Sequence, residues 1–327
     1  MFERIIVALD GSPSSEAALP AARELARRLG SSLVLLHVIE ARPPRTVHGE
    51  HHLGSAAEAE AYLARLVATL ATEGIAARAH VHEAEPRPAS RERGEAVEAR
   101  DRGGVAGAVA AHEAEFGNDL AILAAHGRHG LADTLSGSLP LKVAASGRAA
   151  VLLVTRPKAG GKEPGPPLLF APRRIVLPLD GQAEHEAVLP AAAALARAFG
   201  VGLRLVAAVP RTGSEAGGPG AAFALLAPAL SGASLEYAVG GVAEYLDGIV
   251  AKLAAEGLAV DRLVVRGRPA KEIVAACEEG DLLALSTHRK LGLDASLDGC
   301  VAFGAARRWR GPMLVVPIAR RSSRESG

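Results

Sequence analysis

The sequence contains one block twice, and this internal repeat constrains the fold more than any other feature. Residues 4–30 hold an apolar run, an Asp-Gly pair and an alanine- and leucine-rich segment that ends at a glycine, and residues 174–200 repeat this pattern. Among the positions that keep the same residue 170 places later are Asp10, Gly11, Glu16, Leu19, Pro20 and Gly30. A repeat of this kind predicts two copies of one domain.

The two copies end in similar segments that differ at two informative positions. The first copy has Gly127 after an apolar run and then the pair Gly137-Ser138, whereas the second copy has Arg289 in place of Gly127 and Cys300 in place of Ser138. A backbone that approaches a phosphate closely leaves no room for a side chain, and glycine also reaches dihedral angles that other residues avoid. The first copy alone therefore keeps a complete set of residues for holding a phosphate.

The composition argues against several classes of protein. The 327 residues carry a formal net charge of +1, which gives no overall attraction to nucleic acid or to an acidic membrane. Two cysteines, both in the second half, are too few for a disulfide-stapled secreted domain, and no run of about 18 apolar residues predicts a membrane span. We therefore expect a cytoplasmic protein with neither nucleic acid nor membrane as a partner.

Short apolar runs alternate with helix-like segments through both copies, which predicts parallel strands joined by right-handed crossovers. The expected fold is α/β, with two tandem copies of a Rossmann-like, parallel-sheet sandwich. The first domain is predicted at 1–157, a Gly- and Pro-rich linker at 158–172, the second domain at 173–319 and a tail at 320–327. Residues 83–104 and 212–234 are expected to form long surface loops.

The spacing from Gly127 over nine residues to Gly137-Ser138 predicts an anion site. A glycine turn leaves one strand, and the Gly-Ser pair stands at the start of a helix, where backbone amides, the Ser138 hydroxyl and the helix dipole can all stabilise a phosphate. Arg128 can add positive charge. The alternative is that these are turn glycines with a serine cap; the preceding strand and Asp10, at the same edge of a parallel sheet, favour the site.

These motifs resemble the universal stress protein family over the whole chain. The residues that carry the resemblance are Asp10-Gly11-Ser12, the stretch from His126 through Gly130 to Leu131, Gly137-Ser138 and Gly267-Arg268-Pro269-Ala270. The family's fold is the adenine nucleotide alpha hydrolase-like sandwich, and its ATP-binding branch has the phosphate motif Gly, two residues, Gly, nine residues, Gly-Ser/Thr. This chain has Ala124 at the first glycine, which adds one methyl group.

The resemblance implies a stress-response regulator that binds ATP, with or without Mg²⁺, in its first domain. Asp10 would face the ribose or adenine, the backbone at Val38 would contact adenine, and Gly127, Gly137 and Ser138 would hold phosphates. We expect no enzyme activity beyond slow hydrolysis, because the motif pairs no carboxylate with a histidine. One alternative is an interaction module that binds no nucleotide but a regulatory protein; another, less favoured, is an ATP-using enzyme of a related fold.

Other candidate residues have weaker support in the sequence. His48, Glu50, His51 and His52 share one loop and can be considered for metal binding, but loop histidines without a rigid frame usually form no site, so no metal is expected. His80 and His82 alternate with apolar residues, which predicts a solvated strand face. Cys277 is expected in the core, and Cys300, in a predicted turn, is a candidate reactive thiol.

The last strand of each copy, near Val151–Thr155 and Met313–Pro317, is apolar, and an unpaired apolar edge is a liability in water. The same strand pairs across the dimer in the family that the chain resembles. We therefore expect the two copies to pair through these strands as a pseudo-dimer within one chain, with a homodimer as a further form of assembly.

Overall fold

The two copies build one continuous sheet. The computed structural model describes residues 1–39, 46–47, 50–51, 53–83, 105–125, 143, 147–155, 169–209, 232–287 and 301–318. The first copy contributes the strands β1 (Arg4–Ala8), β2 (Ser32–Ile39), β5 (Ala77–Glu83), β6 (Leu120–Ala125) and β7 (Ala150–Thr155), and a separate hairpin of β3 (Thr46–Val47) and β4 (Glu50–His51). The second copy contributes β8 (Arg174–Pro178), β9 (Gly202–Val209), β10 (Val260–Arg266), β11 (Asp281–Thr287) and β12 (Met313–Pro317).

Helices cover both faces of this sheet. In the first copy they are α1 (Leu19–Leu29), α2 (Ala56–Thr72) and α3 (Val105–Phe116), and in the second α4 (Leu189–Phe199), α5 (Gly232–Ala255), α6 (Pro269–Ala275) and α7 (Val301–Ala306). A short 3₁₀ helix precedes α1 at Ser15–Ala18 and α4 at Ala183–Val188. Gly30 and Gly200 end α1 and α4 in the left-handed conformation, with φ of 68° and 66°.

The sheet has ten strands in the order β10-β9-β8-β11-β12-β7-β6-β1-β2-β5. All pairs within a copy are parallel, so the α/β fold predicted from the sequence is confirmed. In the first copy β2 and β5 lie on one side of β1, and β6 and β7 lie on the other; the second copy repeats this arrangement around β8. The strand order therefore reverses between β1 and β6 and between β8 and β11. Such a reversal opens a crevice at the carboxyl ends of the strands, where ligands bind in open α/β sheets.

The copies join through their closing strands, as expected from the sequence. β12 pairs antiparallel with β7, with Leu314 opposite Leu152 and Val315 opposite Val151. Each of the two large clusters of buried side chains, one on each face of the sheet, contains residues of both copies. The Arg28 guanidinium of α1 also lies 4.7 Å from the ring centroid of Phe199 and donates to the carbonyl of Ala198.

Three elements differ from the sequence-based expectation. Helix α3 was not predicted, because its alanine-rich segment has little amphipathic pattern. Helix α5, expected near Val242, begins at Gly232 and so includes the end of the predicted loop 212–234. The polar loop before α2 contains the β3–β4 hairpin. Among the described residues, no helix is both long and apolar enough to cross a membrane.

Candidate functional site

Three of the predicted nucleotide-binding residues lie at one edge of the sheet. Asp10 follows β1, Val38 is the next-to-last residue of β2, and Ala124 is the next-to-last residue of β6. β1 lies between β2 and β6 and is parallel to both, so the three carboxyl ends meet, and Asp10 and Ala124 flank the point of strand-order reversal. Gly127, Arg128, Gly130, Gly137 and Ser138 lie outside the described residues.

The segment from Asp10 to Ser15, here called the first turn, is fixed by its own hydrogen bonds. The Asp10 carboxylate accepts from the backbone N–H of Ser12 at 2.9 Å. The Ser15 hydroxyl accepts from the N–H of Asp10 at 3.2 Å and donates to the carbonyl of Ser12 at 2.8 Å. Ser12 and Ser15 are buried, while Asp10 is half-buried. The backbone N–H of Ser12 and the hydroxyl of Ser15 thus hold Asp10 in place at the mouth of the crevice.

Gly11 requires glycine for two reasons. Its φ is +86°, in the left-handed region, and a Cβ at this position would lie 2.5 Å from Cγ of Leu53. Leu53 is held over the turn because its N–H donates to the carbonyl of Asp10 at 3.4 Å. The buried His37 lies between the same segments, with Nδ1 2.8 Å from the carbonyl of Leu9 and Nε2 3.2 Å from that of Leu53. His37 therefore positions backbone at this edge.

The corresponding segment of the second copy, Asp180 to His185, is called the second turn and carries larger side chains. Gln182 and His185 stand where the first copy has Ser12 and Ser15. His185 Nδ1 lies 2.7 Å from the Asp180 carboxylate, and the Gln182 amide donates to the same carboxylate at 3.1 Å. Ser286, the counterpart of Ala124, donates to the carbonyl of His185 at 3.1 Å. Two long side chains therefore bind the second aspartate directly.

Each copy also has a tyrosine–glutamate pair behind its turn, with Tyr62 buried and Tyr245 half-buried. The Tyr62 hydroxyl donates to Glu16 at 3.0 Å, and that of Tyr245 donates to Glu186 at 3.0 Å. Burial and the neighbouring carboxylate raise the pKa of Tyr62, and the same causes raise the pKa of Tyr245. These pairs tie the 3₁₀ helix of each copy to α2 or α5. Because both copies share them, they support the fold rather than distinguish the two sites.

The secondary candidates have different outcomes. Cys277 is packed against the core, its Sγ lies 3.4 Å from the carbonyl of Ile273, and burial raises the pKa of its thiol to about 12, so the expectation of a core cysteine is confirmed. Cys300 and the side chains of the histidine loop at 48–52 lie outside the described residues. The solvated face predicted for His80 and His82 is wrong: both rings are half-buried and contact His112 of α3.

Comparison with known proteins identifies a family. The profile of the universal stress protein family matches residues 1–155 and again residues 172–317. A comparison with curated protein sequences finds no significant match.

Solved structures match this chain over nearly its whole length or over about half of it. A universal stress protein from Archaeoglobus fulgidus is 15% identical with a TM-score of 0.61, and the match covers 97% of this chain and 96% of that one. A functionally unknown protein from Pseudomonas aeruginosa is 16% identical with a TM-score of 0.62, covering 97% and 93%. A universal stress protein in complex with cAMP is 20% identical over 46% of this chain and 95% of its own, with a TM-score of 0.32. The first two share the tandem fold with this chain.

Proposed function

Because the chain belongs to the universal stress protein family over both halves of its sequence, we propose that it is a stress-response protein that binds one ATP per chain, in its first copy, without rapid turnover. In the proposed site the Asp10 carboxylate accepts from the ribose, the backbone at Val38 meets the adenine edge, and Gly127, Gly137 and Ser138 hold the phosphates. Arg128 and Gly130 belong to the same loop, and Ala124 ends the strand that leads into it.

The difference between the two turns carries the proposal. In the first turn Asp10 is bounded by the short side chains of Ser12 and Ser15, which bond mainly to backbone. In the second turn the Asp180 carboxylate is bound by His185 and Gln182. A ribose hydroxyl that donates to this aspartate needs a lone pair of its carboxylate, and in the second turn the side chains of Gln182 and His185 compete for those lone pairs. The sequence also favours the first copy, because the second has Arg289 in place of Gly127 and Cys300 in place of Ser138.

The first turn supplies binding groups rather than a catalytic pair. General base catalysis needs a titratable group within hydrogen-bond reach of the attacking water. His37 lies at this edge, and its two ring nitrogens lie against the carbonyls of Leu9 and Leu53. We therefore expect bound ATP to be hydrolysed slowly. Mg²⁺ would neutralise charge on the phosphates when it accompanies the nucleotide.

An exchange of turn residues tests the proposal. The variant Ser12→Gln/Ser15→His gives the first turn the side chains of the second, and we expect it to bind ATP at least about tenfold more weakly by calorimetry, which corresponds to about 1.4 kcal/mol. The matched control, Gln182→Ser/His185→Ser, changes the second turn and should keep wild-type affinity and one site per chain. Far-UV circular dichroism confirms that both variants are folded.

Two other measurements complete the test. Mass spectrometry of ligand released from denatured wild-type protein identifies the nucleotide, with cAMP and AMP added separately as competitors. Two equal sites per chain, or unchanged affinity in the Ser12→Gln/Ser15→His variant, would contradict the proposal. A protein that binds no nucleotide at millimolar concentration would favour the interaction module, and rapid phosphate release from ATP would favour an enzyme.

A further inference from the structure

Three histidines of the first copy converge at the outer edge of the sheet. His80 and His82 alternate on β5, so their side chains lie on the same face, and His112 lies on α3, which packs against that face. One nitrogen from each of the three rings can be chosen so that all three lie within 4.8 Å of one another. The distance from His112 Nε2 to His80 Nε2 is 3.2 Å, and the distance to His82 Nδ1 is 3.0 Å.

We propose that His80, His82 and His112 form a binding site for a divalent transition metal ion of the zinc class, with a fourth position open to water or to an exchangeable ligand. Imidazole nitrogens bind zinc at about 2.0–2.1 Å in tetrahedral geometry, which places them about 3.3 Å apart. The two nitrogen distances at His112 are close to this spacing. His80 and His82 are half-buried, so solvent can reach the metal, whereas His112 is 6% exposed.

The protonation of His112 fits a metal ligand. Its Nδ1 lies 2.6 Å from Oε2 of Glu115, and because a carboxylate only accepts, the ring donates from Nδ1, which in the neutral ring leaves the lone pair on Nε2. That one lone pair faces two other ring nitrogens, although it can accept only one well-aligned hydrogen bond. A cation among the three nitrogens would use the lone pair of each. A carboxylate behind a ligating histidine is the usual support of a metal site.

Packing holds the rings in place. His112 is stacked on Phe116, with ring centroids 5.0 Å apart and an interplanar angle of 6°, and His80 meets the same ring edge-on at 5.0 Å. The Arg78 guanidinium lies 4.2 Å from the centroid of the Phe116 ring and provides a positive charge beside it, while Glu115 provides a negative charge. Rotamers fixed in this way lower the entropy lost when a metal binds.

The second copy shows that the fold does not require these histidines. The strand register places Leu263 of β10 at the position of His80 and Val265 at the position of His82. Both apolar residues pack against the core, and α6, the counterpart of α3, contains no histidine. Apolar side chains thus suffice to pack this edge of the sheet. The three histidines are an addition in the first copy, which favours a function over a packing role.

Zinc binding by the tag-free full-length chain tests this inference. After removal of metal with a chelator, one equivalent of Zn²⁺ should remain with the protein through gel filtration, and Co²⁺ should give the visible absorption of tetrahedral coordination. The variant His80→Leu/His82→Val, which takes the residues of the second copy, should be folded by circular dichroism and hold no metal. Glu115→Gln should keep the stoichiometry and bind about 10–100-fold more weakly.

The control variant removes other histidines from the same copy. His48→Ala/His51→Ala/His52→Ala lies in the loop before α2 and should bind zinc as the wild type does. Each of three results would overturn the proposal. The wild type takes up no metal at micromolar zinc, folded His80→Leu/His82→Val retains one equivalent, or the loop variant loses its metal.

Discussion

Gly11→Ala tests whether Leu53 fixes the first turn. Alanine at the Gly11 φ of +86° is strained by about 1–2 kcal/mol. The substitution also lowers the conformational entropy of the unfolded chain, which offsets about 0.4–1 kcal/mol of this strain. The added methyl group also meets Leu53 Cγ at 2.5 Å and Cδ1 at 2.7 Å, and overpacking of a buried leucine costs about 1–3 kcal/mol. We therefore expect the free energy of unfolding to fall by about 1–5 kcal/mol.

Gly30→Ala is the matched control because it separates strain from contact. Gly30 has a similar φ of +68°, but a Cβ there would have no atom within 4 Å. Its substitution should cost about 1–3 kcal/mol less than that of Gly11, which is the overpacking cost alone. Urea unfolding followed by far-UV circular dichroism measures both, since the single tryptophan, Trp309, belongs to the second copy and does not report on the first turn.

A double-mutant cycle with Leu53→Ala completes this experiment. If the methyl group of Gly11→Ala presses on Leu53, removing that side chain should recover about 1–3 kcal/mol relative to the sum of the single effects. Equal destabilisation by Gly11→Ala and Gly30→Ala, together with additive free energies in the cycle, would refute the idea that Leu53 packs against the turn.

The junction and the buried thiol give two further predictions. Leu153→Pro removes a backbone N–H from the hydrogen-bond ladder of β7, which lies between β6 and β12. The variant should separate the unfolding transitions seen by circular dichroism and by Trp309 fluorescence, whereas the control Leu153→Val should not. Coincident transitions in the proline variant would contradict this prediction. Burial raises the pKa of Cys277 from 9.0 to about 12, so at pH 8 native Cys300→Ser protein should react with iodoacetamide roughly 1000-fold more slowly than an ordinary thiol. Rapid alkylation of the native protein would disprove the burial argument. Because the pKa of the Cys277 thiol is higher in the folded than in the unfolded state, the thiol stabilises the fold below pH 9, and that contribution is lost as the pH rises from about 9 to 12.

Strands with strong apolar patterns could be predicted from the sequence, and so could their order. Ser32–Ile39 is apolar except for Ser32 and His37, and the strand observed has these bounds. A helix at Ala56–Thr72 could also be predicted, and in the structure Ser55 is its N-cap, whose side chain accepts from the N–H of Glu58. Helices α3 and the start of α5 were not predicted, because alanine and glycine give no apolar periodicity for a pattern to detect.

The placement of three candidate site residues at one edge of the sheet could be predicted, because it depends on local strand signals. Asp10, Val38 and Ala124 follow from strand ends, which parallel topology brings to one edge. The roles of Gln182 and His185 could not be predicted, because their contact with Asp180 depends on turn geometry. The burial of the histidine cluster could not be predicted, because strand alternation shows only that His80 and His82 share a face. It does not show that this face is covered by α3, whose His112 lies 32 residues after His80.

The antiparallel pairing of β7 with β12 has an evolutionary consequence. A dimer of two separate, identical chains meets through the same patch on both subunits, so any substitution in one binding crevice also appears in the other. Here both partners are encoded in one chain, and they meet through Val151–Leu153 and Met313–Val315. Substitutions can therefore accumulate in one half alone, as the serines of the first turn and the glutamine and histidine of the second show. Because both halves lie in one chain, the two binding crevices can evolve different properties, which is not possible in a dimer of identical chains.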